Sequence, residues 1–116
     1  MLPVLHHVGL AAADPAATLA FYQALWGGTV ERLAGHTLWT LGDLRLAISP
    51  RTASEPTTWA RGHHLAFALP ATQKSDFLER LQHLGHAWEE VHGRTYLRDP
   101  DGFVLEMMWT EATADA

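Results

Sequence analysis

The 116-residue chain contains no cysteine, a single lysine (Lys74) and no cluster of basic residues. The lack of cysteine excludes disulfide scaffolds, thiolate metal sites and cysteine nucleophiles. With a formal net charge of −5 and no basic patch, nucleic acid is not an expected partner. No apolar run approaches the roughly 18 to 20 residues that span a bilayer, and no signal peptide is recognisable. We therefore expect a cytoplasmic protein without a membrane partner.

What the chain does contain is the composition of an ordinary globular protein together with eight histidines. Hydrophobic residues make up 47% and charged residues 18%, which excludes the disordered, collagen and coiled-coil classes. The length allows one domain, 1–116, built as a unit or from two half-size modules that share a core. A large multidomain enzyme is excluded.

A short internal repeat divides the chain into two similar halves. The sequence His-His-Val-Gly-Leu at 6–10 is echoed 57 positions later by His-His-Leu-Ala-Phe at 63–67, and each copy precedes a helical pattern that ends in glycine. Each half predicts one strand, one helix and three further strands, which gives an α+β fold of two βαβββ modules. The modules span about 1–49 and 63–110, and the segment 50–62 is expected to link them as an exposed crossing segment or lid.

Local signals place the elements within each half. Asp14-Pro15 favours the start of the first helix and Gly27-Gly28 its end. The Asp-Pro-Asp-Gly sequence at 99–102 predicts the tight turn of a hairpin. The residues expected to face inward from the second helix, predicted at 72–84, are Phe77, Leu81 and Leu84. The strands are predicted at 4–13, 29–33, 37–41, 44–49, 63–69, 88–91, 95–98 and 103–109.

Alternation of side chains along the first strand of each half places one histidine on a face of small residues. His7 and His64 each share a face with the small residues two and four positions further along, whereas the opposite faces carry large apolar residues. The neighbouring His6 and His63 are expected to point the other way, without a functional role. Small residues leave space, so a sheet curved around them would enclose a cavity that His7 and His64 reach.

A third candidate ligand lies in the last strand, where Glu106 interrupts an apolar run. Burying an unpaired carboxylate costs several kcal/mol, so Glu106 is expected to have a cation, a metal ion or a hydrogen-bond donor as its partner. Two neutral imidazoles and one carboxylate form a three-ligand set for a divalent ion and leave positions open for substrate. A lone histidine is more often a surface or core residue, but its repetition favours a metal site formed by His7, His64 and Glu106. Such ligands suit Zn, Ni, Mn, Fe or Co.

These residues resemble the vicinal oxygen chelate superfamily, which includes glyoxalase I, fosfomycin-resistance thiol transferases, extradiol dioxygenases, methylmalonyl-CoA epimerase and bleomycin-resistance proteins. The motifs that carry the resemblance are Leu-His-His-Val-Gly-Leu at 5–10, Phe-Tyr at 21–22 with Gly-Gly at 27–28, Gly-His-His-Leu-Ala-Phe at 62–67 and Tyr-Leu-Arg-Asp-Pro-Asp-Gly-Phe-Val-Leu-Glu at 96–106. The resemblance implies a U-shaped mixed sheet around a cavity that holds a metal ion, with the helices outside. It also implies that His7, His64 and Glu106 are the metal ligands.

Within the superfamily, the pattern is most similar to that of the fosfomycin-resistance thiol transferases. Ala47 stands where glyoxalase I and the epimerases carry a fourth ligand, so a three-ligand site is implied. Tyr96 matches a tyrosine that lines the cavity of the fosfomycin enzymes. The chain departs from those enzymes at Gly9, where they have threonine, and at Arg45, where they have tryptophan.

Together these features predict a metal-dependent enzyme of the glyoxalase or fosfomycin-resistance type that activates a small oxygen-rich substrate as an electrophile at a divalent ion. Addition, lyase and isomerase chemistry are open, and addition is favoured because Ala47 offers no base. Tyr96 and Arg45 are the candidate catalytic residues. The candidate substrate-binding residues are Arg98, Ser49 and Trp59. A homodimer is expected, with a cavity formed within one chain or across two, and a thiol is a candidate co-substrate.

Three other interpretations stay open. A metal-free binding protein of the bleomycin-resistance kind would hold a cationic ligand in an acidic cavity, which the net charge permits and the two arginines expected in the cavity oppose. An extradiol-type dioxygenase would need acid–base residues in addition to the ligands. A purely structural ion would leave the cavity without any turnover.

Overall fold

A computed structural model describes residues 5–52 and 63–111 of the chain. The chain divides into two compact units, Met1–Thr57 and Thr58–Ala116. Each unit contains one four-stranded mixed sheet and one α-helix, in the order strand, helix, strand, strand, strand. The predicted α+β class and the βαβββ order of each half are thus confirmed.

The first unit consists of β1 (Val8–Ala12), α1 (Pro15–Trp26), β2 (Thr29–Leu33), β3 (His36–Leu41) and β4 (Leu44–Pro50). Its strands lie in the order β1-β4-β3-β2, with β1 parallel to β4 and the other neighbours antiparallel. The strand predicted at 4–13 is shorter than expected, because the residues before Val8 that the structure describes are not paired in the sheet. The core of this unit contains Tyr22, Leu25, Trp39, Leu46 and Ile48.

Helix α1 begins and ends where its capping residues predict. The Asp14 carboxylate accepts a hydrogen bond from the backbone N–H of Ala17 (3.2 Å), and proline occupies the first turn. At the other end, the Trp39 indole N–H donates to the carbonyl of Gly27 (2.8 Å), which ties the end of α1 to β3. Gly28 has φ +85°, and a Cβ there would lie 2.7 Å from the carbonyl oxygen of Thr40, so only glycine fits this position.

The second unit consists of β5 (His64–Pro70), α2 (Lys74–Leu84), β6 (Glu89–Val91), β7 (Arg94–Arg98) and β8 (Val104–Thr110). Its strands lie in the order β5-β8-β7-β6, with β5 parallel to β8 and the other pairs antiparallel. This arrangement repeats that of the first unit strand for strand. The central strand β8 therefore has β5 on one side and β7 on the other.

Helix α2 begins two residues later than predicted and ends at Leu84, before Gly85, as predicted. A short 3₁₀ turn, Ala71–Gln73, precedes the α-helix, which begins at Lys74. Phe77 and Leu81 are buried as predicted, whereas the prediction that Leu84 faces inward is wrong, since 37% of it is exposed. Leu84 is the last helical residue, directly before Gly85, where the chain turns with φ +81°.

The turn between β7 and β8 forms the predicted hairpin. The buried Asp99 accepts two hydrogen bonds through Oδ1, from the backbone N–H groups of Asp101 (2.8 Å) and Phe103 (2.9 Å). The backbone N–H of Gly102 donates to the Asp99 carbonyl (2.9 Å), and Gly102 has φ +83°. This turn aligns β7 with β8 so that Tyr96 lies opposite Glu106. In the part of the chain that the structure describes, neither helix is long and apolar enough to cross a membrane.

Candidate functional site

We call the face of the second sheet that carries His64 and Glu106 its open face. On this face, residues from three strands lie around Glu106. In the strand register, Ala66 of β5 and Tyr96 of β7 are the partners of Glu106 on its two sides. Exposure along β5 alternates, with His64 and Ala66 exposed and Leu65 half-buried. The predicted division of β5 into a histidine and small-residue face and an apolar face is confirmed.

The Glu106 carboxylate is buried, with 3% of its side chain exposed, and both of its oxygens have partners within this sheet. Oε1 lies 3.0 Å from Nε2 of His64. Oε2 accepts a hydrogen bond of 2.8 Å from Nη1 of Arg94. The expectation that a buried Glu106 needs a cation or a hydrogen-bond donor is confirmed, and the partners are the side chains of Arg94 and His64.

The contact between His64 and Glu106 has the geometry of two neighbouring metal ligands. Ligand nitrogen and oxygen atoms bound at about 2.0–2.2 Å to one ion lie roughly 3 Å from each other. Nε2 and Oε1 are 3.0 Å apart, which is compatible with both atoms binding one divalent ion. A neutral imidazole and a carboxylate are also suitable donors for such an ion. The residues present therefore fit two of the three predicted ligands.

Arg94 is the member of this cluster that the sequence analysis missed. Alternation along β7 places Arg94, Tyr96 and Arg98 on one face, which is the face that carries Glu106 on β8. The sequence could have indicated Arg94, because extending the predicted strand back by one residue from 95 places Arg94 on the same face as Tyr96 and Arg98. The pairing of β7 with β8 is also needed, because an arginine on one face of a strand is otherwise indistinguishable from a solvent-exposed one.

In the first unit, the corresponding open face carries the small residues that the sequence predicts. Gly9 pairs with Ala47 in the β1–β4 register, and exposure along β4 alternates between exposed Arg45, half-buried Ala47 and the buried core residues. Ser49 is half-buried two residues beyond Ala47 on the same face. Arg45 and Ser49 therefore lie on the predicted face of their strand.

The two N-terminal histidines differ from the prediction. His7 is exposed and lies just before β1, and its Nδ1 is 2.9 Å from Nδ1 of His6. The ring centroids are 5.2 Å apart in an edge-to-face arrangement. The prediction that His6 points away from His7 is wrong, because both residues precede the strand and the alternation of a strand does not apply to them.

The remaining predicted site residues have varied positions. Arg98 is exposed, and its Nη1 donates to the carbonyl of Gly102 (2.7 Å), so this arginine also supports the hairpin turn. Trp59 lies outside the described residues. Among residues 5–52 and 63–111 of a single chain, no group of three histidine, aspartate or glutamate side chains is placed where it could hold an ion. The set of His7, His64 and Glu106 therefore stays a prediction.

A cavity of about 540 Å³ lies in the second unit, and His64, Arg94 and Glu106 are not among the residues that line it. Tyr96 lines it and is also the register partner of Glu106, so this one residue belongs both to the cavity and to the strand pair that carries the candidate ligand. The other side chains that line it are His86, Ala87, Trp88, Glu89, Leu97, Arg98 and Val104. Its volume lies within the roughly 300–1,000 Å³ typical of small-molecule sites.

The amino-acid sequence matches the model of one known protein family. Residues 4–107 match the family model of the glyoxalase/bleomycin resistance protein/dioxygenase superfamily. No curated protein sequence is similar enough to count as a match.

Several solved structures share the fold. The fosfomycin resistance protein FosX of Listeria monocytogenes, in an E126Q mutant complexed with Mn(II) and 1S,2S-dihydroxypropylphosphonic acid, is 20% identical with a TM-score of 0.78, covering 97% of this chain and 95% of that chain. FosX of Mesorhizobium loti is 17% identical with a TM-score of 0.77, over 99% and 98% of the two chains. A protein from the mobile metagenome of V. pseudocholerae is 22% identical with a TM-score of 0.72, over 92% and 94%.

Proposed function

Because the chain belongs to the glyoxalase/bleomycin resistance protein/dioxygenase superfamily, we propose that it is a metal-dependent enzyme that activates a small oxygen-rich electrophile. The observation that carries this proposal is the contact of 3.0 Å between His64 Nε2 and Glu106 Oε1 on the open face of the second sheet. A hydrophobic residue is often as stabilising at a buried position as an ion-paired carboxylate, so the presence of Glu106 in an otherwise apolar strand favours a chemical role.

The fold neighbours support the same class of chemistry. The Listeria FosX structure contains Mn(II) and a dihydroxypropylphosphonic acid, which is a small molecule with several oxygens. In this chain, His64 and Glu106 would hold a divalent ion, with His7 of the same chain or of a second copy as the third ligand. Such an ion acts as a Lewis acid that stabilises negative charge on a substrate oxygen.

The side chains around the ligand pair define what the protein contributes to the reaction. We expect the hydroxyl of Tyr96, the register partner of Glu106, to donate a hydrogen bond to a substrate oxygen. Arg45 would hold a carboxylate or phosphate group of the substrate through two parallel hydrogen bonds. Ala47 provides no base, so we expect a nucleophile such as a thiol or water to add to the substrate, and we do not expect isomerisation.

The cavity beside Tyr96 is the proposed substrate site. Two aromatic side chains, Trp88 and Tyr96, line it together with Glu89 and Arg98. Its volume of about 540 Å³ is within the range of small-molecule sites. We therefore expect a substrate with a planar part that packs on the aromatic rings.

Metal analysis of protein purified without a histidine tag or chelator tests the proposal. We expect close to one divalent ion per active site in the wild type and loss of that ion in His64→Ala. His83→Ala is the matched control, because His83 is exposed at the last turn of α2 in the same unit and should leave the metal content unchanged. A metal content that is low in the wild type and unaffected by His64→Ala would contradict the proposal.

A metal-free binding protein is the second candidate, and one observation favours it. Both oxygens of Glu106 already have partners within the chain, Arg94 and His64, so the folded protein does not require an ion to satisfy this carboxylate. Such a protein would bind its ligand with the same affinity in the presence and absence of a chelator. An enzyme of the first kind would lose both the ion and turnover on chelation.

We also propose that the protein is a cytoplasmic homodimer. Light scattering at micromolar concentration should give twice the 12.8 kDa chain mass. A monomer under these conditions would contradict the dimer and would require all three ligands to come from one chain.

A further inference from the structure

We propose that Arg94 is a positioning residue that determines which oxygen of Glu106 faces the metal ion. This inference rests on the proposed function and adds to it a residue that is not itself a ligand. Arg94 Nη1 donates to Oε2 of Glu106 at 2.8 Å, while Oε1 lies 3.0 Å from His64 Nε2. The two oxygens therefore have separate partners, and only Oε1 is directed to the place where His64 would bind an ion.

The burial of Glu106 makes this division effective. With 3% of the Glu106 side chain exposed, little water is available to replace either partner, so the carboxylate cannot rotate without losing a charged hydrogen bond. Carboxylates bind ions through one oxygen or through both. Because Arg94 occupies Oε2, Glu106 would bind through Oε1 alone, which leaves one more coordination position for substrate oxygens.

Arg94 can have this role because of its place in the sheet. It lies on β7 two residues before Tyr96, which is the register partner of Glu106, so its long side chain reaches Glu106 along the diagonal of the strand pair. Its side chain is 48% exposed, so the positive charge is partly solvated. Arg94 also neutralises the buried carboxylate before an ion binds, so the site is formed in advance.

Electrostatics and positioning predict opposite results when Arg94 is replaced. Removing a positive charge near a divalent ion should, by itself, strengthen binding of the ion. Losing the group that orients a ligand should weaken it, by about 10- to 100-fold for residues that support metal ligands. The sign of the change in affinity therefore separates the two roles of Arg94.

Titration calorimetry with Mn(II) on the metal-free full-length protein provides the measurement. We expect Arg94→Met to weaken Mn(II) binding by about 10-fold or more, and Arg94→Lys to recover most of the affinity because its ammonium group can donate one hydrogen bond to Oε2. Arg32→Met is the matched control, since it removes one positive charge from an exposed residue of β2 in the other unit. Arg94→Gln, whose amide is too short to reach Oε2, repeats the measurement should Arg94→Met fail to fold.

The absorption spectrum of the Co(II) form gives a second readout, because its intensity depends on coordination number. We expect the intensity of the spectrum of Arg94→Met to differ from that of the wild type, because Glu106 is no longer held to bind through Oε1 alone. Equal or tighter Mn(II) binding by Arg94→Met, with an unchanged Co(II) spectrum, would overturn the role of Arg94 alone. Failure of the wild type to bind any of these ions would instead overturn the proposed function, and this inference with it.

Discussion

Replacement of Asp99 by alanine tests whether the hairpin turn holds the second sheet in register. Asp99 is 6% exposed, and its Oδ1 accepts hydrogen bonds from two backbone N–H groups, those of Asp101 and Phe103. Alanine would leave both N–H groups without this partner in a buried turn. The same turn sets Tyr96 opposite Glu106, so its loss should disturb the candidate site as well as stability.

The expected loss of stability follows from these two hydrogen bonds. A hydrogen bond to a charged group contributes about 1.5–3 kcal/mol, and two bonds to one oxygen are less than additive. We therefore expect Asp99→Ala to lower the free energy of unfolding by about 2–4 kcal/mol, a large share of the roughly 5–15 kcal/mol of a typical domain. Asp99→Asn keeps an oxygen acceptor but not the charge, and should lose about half as much.

Urea unfolding, followed by circular dichroism and tryptophan fluorescence, measures these differences at constant m value. Asp43→Ala is the control, because Asp43 is an exposed turn residue between β3 and β4, and it should change stability by less than about 0.5 kcal/mol. A loss below about 1 kcal/mol for Asp99→Ala, or an equal loss for Asp43→Ala, would refute the reasoning.

Two further predictions concern packing and chemistry. Gly28→Ala should destabilise the protein by about 2 kcal/mol more than Gly35→Ala, because both glycines have similar positive φ values but only at Gly28 would the new Cβ strike the indole and backbone of β3. Equal losses in thermal or urea unfolding would show that the steric contact is unimportant. Tyr96→Phe should keep the fold and metal content but reduce kcat by about 10-fold or more, since it removes one hydrogen-bond donor from the transition state. Steady-state kinetics with an identified substrate checks this, and an unchanged kcat would exclude a catalytic role for the hydroxyl.

Most helix ends could be predicted because capping is a local property. Asp14 accepts a hydrogen bond from a residue three positions away, and Gly27 follows the last residue of α1, so neither depends on distant parts of the chain. The error at Leu84 arose because the helical period continues to the last residue, whereas the chain turns away from the sheet at Gly85. The error at His6 has a related cause, since strand alternation was extended to residues that precede the strand.

The sequence by itself determined the two βαβββ units, the face of β5 on which His64 lies and the need for a partner at Glu106. These features depend on alternation, capping and burial cost, which neighbouring residues set. Only the tertiary structure decided that Arg94 binds one oxygen of Glu106 and His64 the other, because these contacts join three strands. The pairing of those strands, and the reach of a long arginine side chain across them, cannot be derived from the spacing of residues along the chain.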